Sequence, residues 1–394
     1  MKTKILVLFL SLANFIANGQ VNYTNLYGAS YAEVTLSPNA SGDIDIVSTY
    51  NGYPVRSIET GAFEYCDGLT SVIIPDSVTG IGGEAFLGCT SLTNVIIPNS
   101  VTYIGGDAFD YCTSLTSVDL PNSVTILASS IFYHAGLTSI AFPESATNIG
   151  SGVCTSCVDL RSAVISCPDT GGGTFSACTA LTDVTFGPNV RNIGSYAFSS
   201  CSSLTSVVIP NSVTNIDSRA FNVCSGLANV VFGVNVRNIG SYAFLGCNNL
   251  TRVVIPASVT NIGDYAFFNC AKLTNITFLG NAPALGVNVF TNVPGIVYYQ
   301  PRKSGWGATY GGLPAVMLTP PQIASSGLQS GDFTFTITGL INETVVIEAS
   351  TDLVTWEPIY TNALDATNVL FSDPHWTDYP TRFYRAFDPS MVGN

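Results

Sequence analysis

The chain has 394 residues, of which 46% are hydrophobic and only 10% are charged, and its formal net charge at pH 7 is −13. Because contacts with nucleic-acid phosphates or with an anionic membrane need a basic surface, this charge argues against both classes of partner. The sequence has only two histidines, His134 and His375, and few lysines, so it is poor in the residues that acid–base and metal chemistry commonly use.

The first nineteen residues have the order of a secretory signal peptide. Two lysines precede a mostly apolar run at 5–16, and the small residues Ala17 and Gly19 follow it. A basic start, a short apolar run and small residues at a cleavage site are typical of export signals. The run is too short to cross a bilayer, and no later stretch approaches the roughly 18 apolar residues needed. We therefore predict a signal peptide at 1–19, no membrane insertion, and a protein that is secreted or held at the cell surface.

Residues 20–55 contain two segments, 32–36 and 43–47, in which apolar and polar residues alternate. Such alternation is typical of strands with one buried face. Because these segments lie immediately before a repeated region, and stacked repeats need a covered end, we predict that residues 20–55 form an N-terminal cap.

A 23-residue repeat occupies most of the remaining chain. It is marked by a phenylalanine in a phrase such as Gly194–Cys201, which recurs almost unchanged at Gly240–Cys247. Successive phenylalanines are 23 residues apart, except across one gap of 43 residues in which Cys154 takes the phenylalanine place. The phenylalanines are Phe63, Phe86, Phe109, Phe132, Phe175, Phe198, Phe221, Phe244, Phe267 and Phe290. We therefore predict eleven units, numbered here coil 1 (Phe63) to coil 11 (Phe290), which with a closing segment fill residues 56–319.

Each unit predicts two short extended pieces and a turn. In coil 8, Leu204, Val207 and Ile209 have the L-x-x-L-x-L spacing of a leucine-rich-repeat strand. Pro210 begins a turn, and a second extended piece follows at 213–216. The Ala-Phe-x-x-Cys part has the spacing of one helical turn. Since so small a unit buries its apolar side only by stacking, we predict a right-handed leucine-rich-repeat solenoid of about eleven 23-residue coils, built from short β-strands and helical turns.

The repeated phrase also resembles a known family. Residues 97–118 read I-P-N-S-V-T-Y-I-G-G-D-A-F-D-Y-C-T-S-L-T-S-V, and this is similar to the BspA-type leucine-rich repeat. Asn51–Ile58 resembles the entry to the first repeat of that family, and the resemblance covers roughly residues 50–320. It implies a secreted or surface-displayed protein that binds host proteins, matrix proteins or other cells, without catalysis and without a cofactor.

Nine of the eleven cysteines occupy one position of the repeat. Stacked side chains that point the same way have the wrong geometry for disulfides, and Ala135 and Val293 at this position indicate a small buried apolar slot. No recurring histidine or C-x-x-C pair supplies ligands, so we expect no metal. The one C-x-x-C, Cys154 to Cys157, lies near Cys167 in sequence, and a local disulfide among these and Cys178 remains an alternative. The predicted column is Cys66, Cys89, Cys112, Cys157, Cys178, Cys201, Cys224, Cys247 and Cys270.

Two further segments follow the coils. Trp306 lies in a glycine-rich stretch and is predicted to close the last coil, although an isolated tryptophan also suits sugar stacking. After a linker with Pro320, alternating segments predict a small β-sandwich at 320–394. This segment is similar to a short C-terminal module of secreted bacterial proteins, which leaves sorting, attachment and spacing open. We interpret His375, with Asp373 and Asp378 near it, as part of a turn.

The predicted strands also expose one apolar row, which we call the ridge. It consists of the residue before the last inward residue of each first strand: Ile73, Ile96, Asp119, Ala141, Val164, Thr185, Val208, Val231, Val254 and Thr277. A row of mostly small polar residues, with Arg252 among them, runs beside it. β-Branched residues suit strands in any case, but monomers rarely expose long apolar patches without a function. We predict that a partner contacts Ile73, Ile96, Asp119, Val164, Val208, Val231, Arg252 and Val254.

Three functions fit these features. The favoured one is an extracellular solenoid that binds a secreted or cell-surface protein. The second is a structural surface protein whose ridge packs on copies of itself. The third is an enzyme or a carbohydrate-binding accessory protein, which we consider least, because the sequence offers no acid–base pair, no nucleophile with its base and no phosphate-binding loop.

Overall fold

The computed structural model describes residues 21–25, 30–318, 321–329, 332–338, 344–363 and 368–387. The predicted signal peptide at 1–19 lies outside these residues. The chain forms two compact units, and each is described by itself. The first contains the described part of Met1–Ile276 with Pro283–Gly295 and Gly311–Leu313, and the second contains Thr277–Ala282, Ile296–Tyr310 and the described residues from Pro314 onward. The described part of the chain has no helix whose length and hydropathy would let it cross a bilayer.

The first unit is a β-solenoid, as predicted, in which short strands of successive coils form two parallel ladders; coil 4 has no strand in the first ladder and coil 6 has none in the second. Residues of successive coils pair in register, for example Ser206 with Asn229 in the first ladder and Asn215 with Asn238 in the second. First-ladder strands are Gly42–Asp45, Leu69–Ile73, Asn94–Ile96, Ser139–Phe142, Ser162–Ile165, Asp183–Phe186, Ser206–Val208, Asn229–Val231, Arg252–Ile255 and Asn275–Phe278. Second-ladder strands are Ala32–Thr35, Tyr53–Ile58, Gly80–Ile81, Tyr103–Ile104, Ile126–Leu127, Asn148–Ile149, Asn192–Ile193, Asn215–Ile216, Asn238–Ile239, Asn261–Ile262 and Ala284–Leu285.

The predicted helical turn around each phenylalanine is wrong. In every coil the residues two before and two after the phenylalanine place have φ between 55° and 71°, which a right-handed helix does not tolerate. The chain therefore forms successive tight turns, closed by bonds such as the Cys224 N–H donating to the Phe221 carbonyl. Among the described residues the one helical segment is the 3₁₀ helix Trp376–Asp378.

These turns join the coils through a regular hydrogen-bond ladder. At each of the ten junctions between coils, three N–H groups donate to carbonyls of the next coil, with N···O distances of 2.7–3.1 Å. They belong to the residue at the phenylalanine place and to the residues two before and two after it. In coil 8 these donors are Arg219, Phe221 and Val223. Because left-handed and right-handed residues alternate here, the three N–H groups point toward the same neighbour. The turn edge thus satisfies its backbone polar groups only within a stack.

The segment before coil 1 behaves as part of a further coil. The strand Ala32–Thr35 pairs in parallel with the second-ladder strand of coil 1. The strand Asn22–Asn25 pairs antiparallel with Ala32–Thr35. The Ser37 N–H donates to the Ala62 carbonyl at 2.6 Å, and the Cys66 thiol donates to the Ser37 carbonyl at 3.3 Å. The Ser37 backbone therefore makes the same two contacts with coil 1 that the Phe63 backbone makes with coil 2. A short strand, Thr49–Tyr50, completes this end.

The solenoid interior is a column of aromatic rings flanked by aliphatic rows. Within each run of coils that keeps the phenylalanine, neighbouring rings stack at centroid distances of 5.1–5.8 Å. The column is interrupted in coil 5, where Cys154 stands. In the same coil Phe142, at a position where coil 8 has Ile209, is buried and stacks on Phe175 at 5.5 Å. A second aromatic residue thus occupies core volume in the coil that lacks the usual ring.

The second unit contains a closing segment and a small β module. In the closing segment, Ile296–Tyr299 pairs in parallel with Leu313–Met317, and Thr309–Tyr310 lies in the same sheet. The β module has two three-stranded antiparallel sheets: Gln322–Gln329, Asp332–Thr338 and Asn368–Asp373 in one, and Glu357–Ala363, Thr344–Ser350 and Phe383–Phe387 in the other. Both sheets contribute to one buried cluster of Phe335, Ile337, Val345 and Ile347. This is the arrangement that the predicted β-sandwich requires.

Candidate functional site

The ridge consists of side chains that the first ladder holds in register on its outer face. Strand alternation turns Val207 and Ile209 inward, where both are buried, and leaves Val208 63% exposed between them. Parallel pairing places Val208 beside Val231, and Ile73 beside Ile96, in strands about 4.8 Å apart. The exposed apolar members are Ile73, Ile96, Val164, Val208 and Val231.

Other predicted ridge residues depart from this pattern. Asp119 is exposed but lies in the part of coil 4 that forms no strand, so it interrupts the row with a charge. Val254 is half-buried, while Arg252 beside it is exposed. Thr277 is only 5% exposed, so the prediction that it continues the ridge is wrong. Its strand neighbour Phe278 packs on Trp306 of the closing segment, with 5.0 Å between the ring centroids.

A cavity of about 550 Å³ opens beside the ridge at coils 4 to 6, and we call it the notch. Its apolar lining comes from Leu120, Ala141, Phe142, Pro143 and Val164, and its polar lining from Asn122, Glu144, Ser145 and Ser166. Phe142 is buried at its base, whereas Ala141, Glu144 and Val164 are exposed at its opening. The ridge is thus not continuous: a concave site separates Asp119 from the apolar residues that follow.

A two-residue shortening of coil 6 lies at one wall of the notch. Two contacts show which residues of coils 6 and 7 are equivalent. Ile165 pairs with Phe186 of the next coil. The Arg191 N–H donates to the Pro168 carbonyl, just as the Thr214 N–H donates to the Arg191 carbonyl one coil later. In this register Ser166 alone fills the turn that takes three residues in coil 7, 187–189, and three in coil 5, 143–145. The small side chain of Ala141, where six other coils carry valine or isoleucine, leaves further space.

The charge at the notch is negative. Glu144 is exposed at the opening, and Asp119 holds the ridge position one coil earlier. The ion pairs of the described residues, such as Arg382 with Asp373, all lie within the C-terminal β module. The Glu144 carboxylate therefore has no cationic partner among the described residues of the coils.

The sequence analysis did not identify the notch. The predicted ridge contained Ala141 and Val164, which line the notch, but the analysis gave no role to Leu120, Phe142 or Glu144. The number of residues in the turn could have indicated it. Only one residue separates the inward positions Ile165 and Cys167, whereas three residues separate the equivalent positions of neighbouring coils.

The repeated cysteines form a buried internal column. All eleven are unpaired and buried. From Cys89 to Cys270 each thiol of the column donates to the carbonyl of the phenylalanine place one coil earlier, at 3.0–3.3 Å. Burial raises the pKa of the Cys89 thiol and that of the Cys224 thiol to about 12 each. Thiols of this kind are poor nucleophiles and poor metal ligands, and no cluster of three or more metal-ligating side chains occurs among the described residues.

Two other aromatic features lie outside the ridge. The Arg219 guanidinium stacks between the rings of Tyr196 and Tyr242, with 5.1 and 4.6 Å to the ring centroids, and these residues occupy the left-handed place two before the phenylalanine. Trp306 stacks on Tyr299 at 4.9 Å and contacts Tyr310 at 4.7 Å. Because Tyr299 covers one face of the Trp306 ring, that face is closed to a sugar.

The predicted turn at His375 is present in the β module. The His375 N–H donates to Asp373, which is buried, at 3.0 Å. Asp373 also receives a hydrogen bond from the Tyr384 hydroxyl at 2.8 Å and pairs with Arg382 at 3.0 Å. The carboxylate is thus fully used in holding the turn, as the sequence interpretation expects.

Comparison with known proteins gives a family. A model described as BspA type leucine rich repeat region, in six copies, matches residues 56–178 and 169–297. No similar sequence is found among curated proteins. Among solved structures, the chain is similar to a leucine-rich repeat protein from Bacteroides ovatus, with 22% identity over 76% of this chain and 98% of that one and a TM-score of 0.41. It is also similar to a leucine rich cell surface protein from Faecalibacterium prausnitzii, with 26% identity over 79% and 98% and a TM-score of 0.38.

Proposed function

Because the chain belongs to the BspA-type leucine-rich repeat family, we propose that it is an exported, non-catalytic scaffold that binds another extracellular or cell-surface protein through the ridge. Export is supported by the signal-peptide pattern at 1–19. A binding role without catalysis is supported by a solenoid whose thiols are buried and whose repeat positions carry no acid–base pair. If the exported protein stays attached to the cell surface, the C-terminal β module is the part that would attach it.

One observation carries the proposal: the ridge keeps exposed β-branched side chains in register on adjacent strands. Val208 and Val231 lie side by side and exposed, with the small polar residues Ser206 and Asn229 in the next outward row. A flat apolar row with neutral polar edges suits the central part of a protein interface, where charged residues are depleted. Contiguous exposed apolar patches of this kind usually mark interaction sites.

The test compares two triple variants of the mature chain, residues 20–394. Val208→Glu, Val231→Glu and Val254→Glu place three carboxylates on the ridge. Thr79→Glu, Thr102→Glu and Thr125→Glu add the same charge at exposed positions that immediately precede second-ladder strands. Binding to a panel of purified extracellular-matrix and cell-surface proteins is measured by surface plasmon resonance. Circular dichroism and urea unfolding establish that each variant is folded.

We expect the ridge variant to weaken binding to any captured protein by at least about tenfold, because each buried, unpaired carboxylate costs more than about 1.4 kcal/mol. The second-ladder variant is expected to bind as the unmodified chain does. Equal binding by the unmodified chain and the ridge variant would contradict the proposal. If the chain captures only copies of itself, and the ridge variant stays monomeric in sedimentation, the ridge serves self-assembly and a foreign partner is refuted.

A further inference from the structure

The notch combines an apolar interior with an uncompensated acidic rim. Phe142 and Pro143 are buried, and Leu120, Ala141 and Val164 supply further apolar surface. Glu144 is exposed at the opening, and its carboxylate has no ion-pair partner among the described residues. Asp119 adds a second carboxylate on the ridge one coil away. Arg161, the basic residue of coil 6, is not part of the lining.

This combination selects among ligand chemistries. A free phosphate, sulfate or carboxylate meets like charge at Glu144 and Asp119. A pyranose lacks an exposed aromatic face, because Phe142, the aromatic residue of the lining, is buried. A lysine or arginine side chain fits both features, because its aliphatic stem packs on apolar surface while its cationic end reaches a carboxylate. The volume of about 550 Å³ lies within the range of about 300–1,000 Å³ that is usual for ligand pockets, so flanking backbone is accommodated too.

We propose that the notch is a specificity pocket that receives a lysine or arginine residue of the protein bound along the ridge. This inference rests on the proposed function and names the chemistry of the partner. The basic residue places its stem over Leu120, Ala141 and Val164 and its charge at Glu144. The partner's neighbouring apolar residues then continue along the ridge toward Val208 and Val231. Attraction to a chain with a net charge of −13 also favours basic partners during encounter.

The pocket is tested first with small probes on the mature chain. Nα-acetyl-lysine-N-methylamide and its arginine analogue are titrated by saturation-transfer NMR, beside the norleucine analogue, which keeps the stem without the charge, and the glutamate analogue. We expect binding of the two basic probes at a Kd of about 1 mM, clearly tighter than norleucine, and none of glutamate. Norleucine binding as tightly as lysine, or glutamate binding at all, would overturn the charge assignment.

Two variants and a matched control then locate the site. Ala141→Phe fills the notch from an exposed position and is expected to abolish probe binding. Glu144→Gln is expected to weaken the basic probes about two- to fivefold, the range of partly exposed ion pairs, without changing norleucine. Glu84→Gln removes the same charge from an exposed turn elsewhere and is expected to leave all probes unchanged. Basic-probe binding that survives Ala141→Phe places the site elsewhere and refutes the pocket.

The same variants separate this inference from the proposed function. Once a matrix or cell-surface protein is captured, Ala141→Phe and Glu144→Gln are measured in the same assay as the ridge triple variant. If the ridge triple variant abolishes capture and the two notch variants do not weaken it, the ridge function stands and the notch proposal fails. If the basic probes bind the notch but the ridge triple variant captures the protein normally, the ridge function fails instead. If the ridge triple variant and the two notch variants all weaken capture, both the ridge function and the notch proposal are supported.

Discussion

Coil 5 offers a direct test of how the solenoid core is filled. In the other ten coils a phenylalanine occupies the place that Cys154 takes here, and in coil 8 it is accompanied by Ile209 where coil 5 has Phe142. Cys154→Phe together with Phe142→Ile would therefore restore the pattern of coil 8. Both wild-type side chains are buried, at 0% and 1% exposure, so neither change can be absorbed by moving into solvent.

The structure sets the expected magnitudes. Cys154→Phe alone adds a ring to a closed site and should destabilise by about 1–3 kcal/mol through overpacking. Phe142→Ile alone removes the stack on Phe175 and leaves a cavity, for about 1–3 kcal/mol. Independent effects would sum to about 2–6 kcal/mol. If Phe142 fills the volume that Cys154 leaves, the double variant should recover about 1–3 kcal/mol of that sum, the coupling expected of side chains that share a site.

The assay is urea unfolding of the mature chain and its variants, followed by far-ultraviolet circular dichroism. The free energies of unfolding are compared for variants whose unfolding free energy depends on urea concentration with the same slope. Phe142→Ile combined with Cys247→Phe, which lies four coils away, provides the additive control. Additivity in the coil 5 pair, with a double variant as unstable as the two single changes together, would refute the shared-volume reasoning. So would a stable Cys154→Phe single variant, because it would mean that the site is already roomy.

Three further predictions concern titratable groups. At pH 8 the eleven cysteines of the folded chain should not react with a thiol reagent that modifies all of them in denaturant. The reason is that a pKa of about 12 for Cys89 lowers its thiolate fraction about a thousandfold relative to an ordinary cysteine. Rapid modification of the native chain would contradict this prediction. Asp373→Ala should destabilise the β module by about 3–5 kcal/mol, since it leaves Arg382 largely buried and unpaired, and an unchanged thermal transition of that module would oppose it. Burial and the neighbouring Glu33 raise the pKa of Glu59 to about 7, so the folded state holds this proton more tightly than the unfolded one. Stability should therefore fall as pH rises from about 4.5 to 7, and Glu59→Gln should remove that part of the pH dependence of the urea midpoint.

The spacing of phenylalanines predicted the coils because one apolar residue every 23 positions must meet its equivalents inside a stack. The same argument predicted the inward Val207 and Ile209 and the outward Val208. It did not predict the backbone around Phe221, since residues three or four apart share a side in a helix and also in a series of tight turns. The two cases differ in φ at Arg219 and Val223, and non-glycine residues in the left-handed region have no reliable sequence signal.

The outward surface was predictable where the repeat is regular and not where it deviates. Alternation alone places Val208 and Val231 on one face. Thr277 has the same pattern but is only 5% exposed, and repeat periodicity contains no information about its burial. The notch likewise depends on a comparison between coils, because Ser166 becomes informative only when its turn is measured against those of its neighbours.

The hydrogen bonding of the coil explains why length varies at the turn of Ser166 and not at the phenylalanine. Around the phenylalanine place three N–H groups per coil donate to the next coil, so an inserted or deleted residue there would leave buried donors unpaired on both sides. The spacing from the phenylalanine place to the cysteine column is accordingly three residues in every coil. The turn after the first strand is closed within its own coil, as when the Val213 N–H donates to the Pro210 carbonyl, so a shorter turn disturbs no ladder. The shortened turn of Ser166 lies beside the ridge and forms part of the notch that Glu144 also lines.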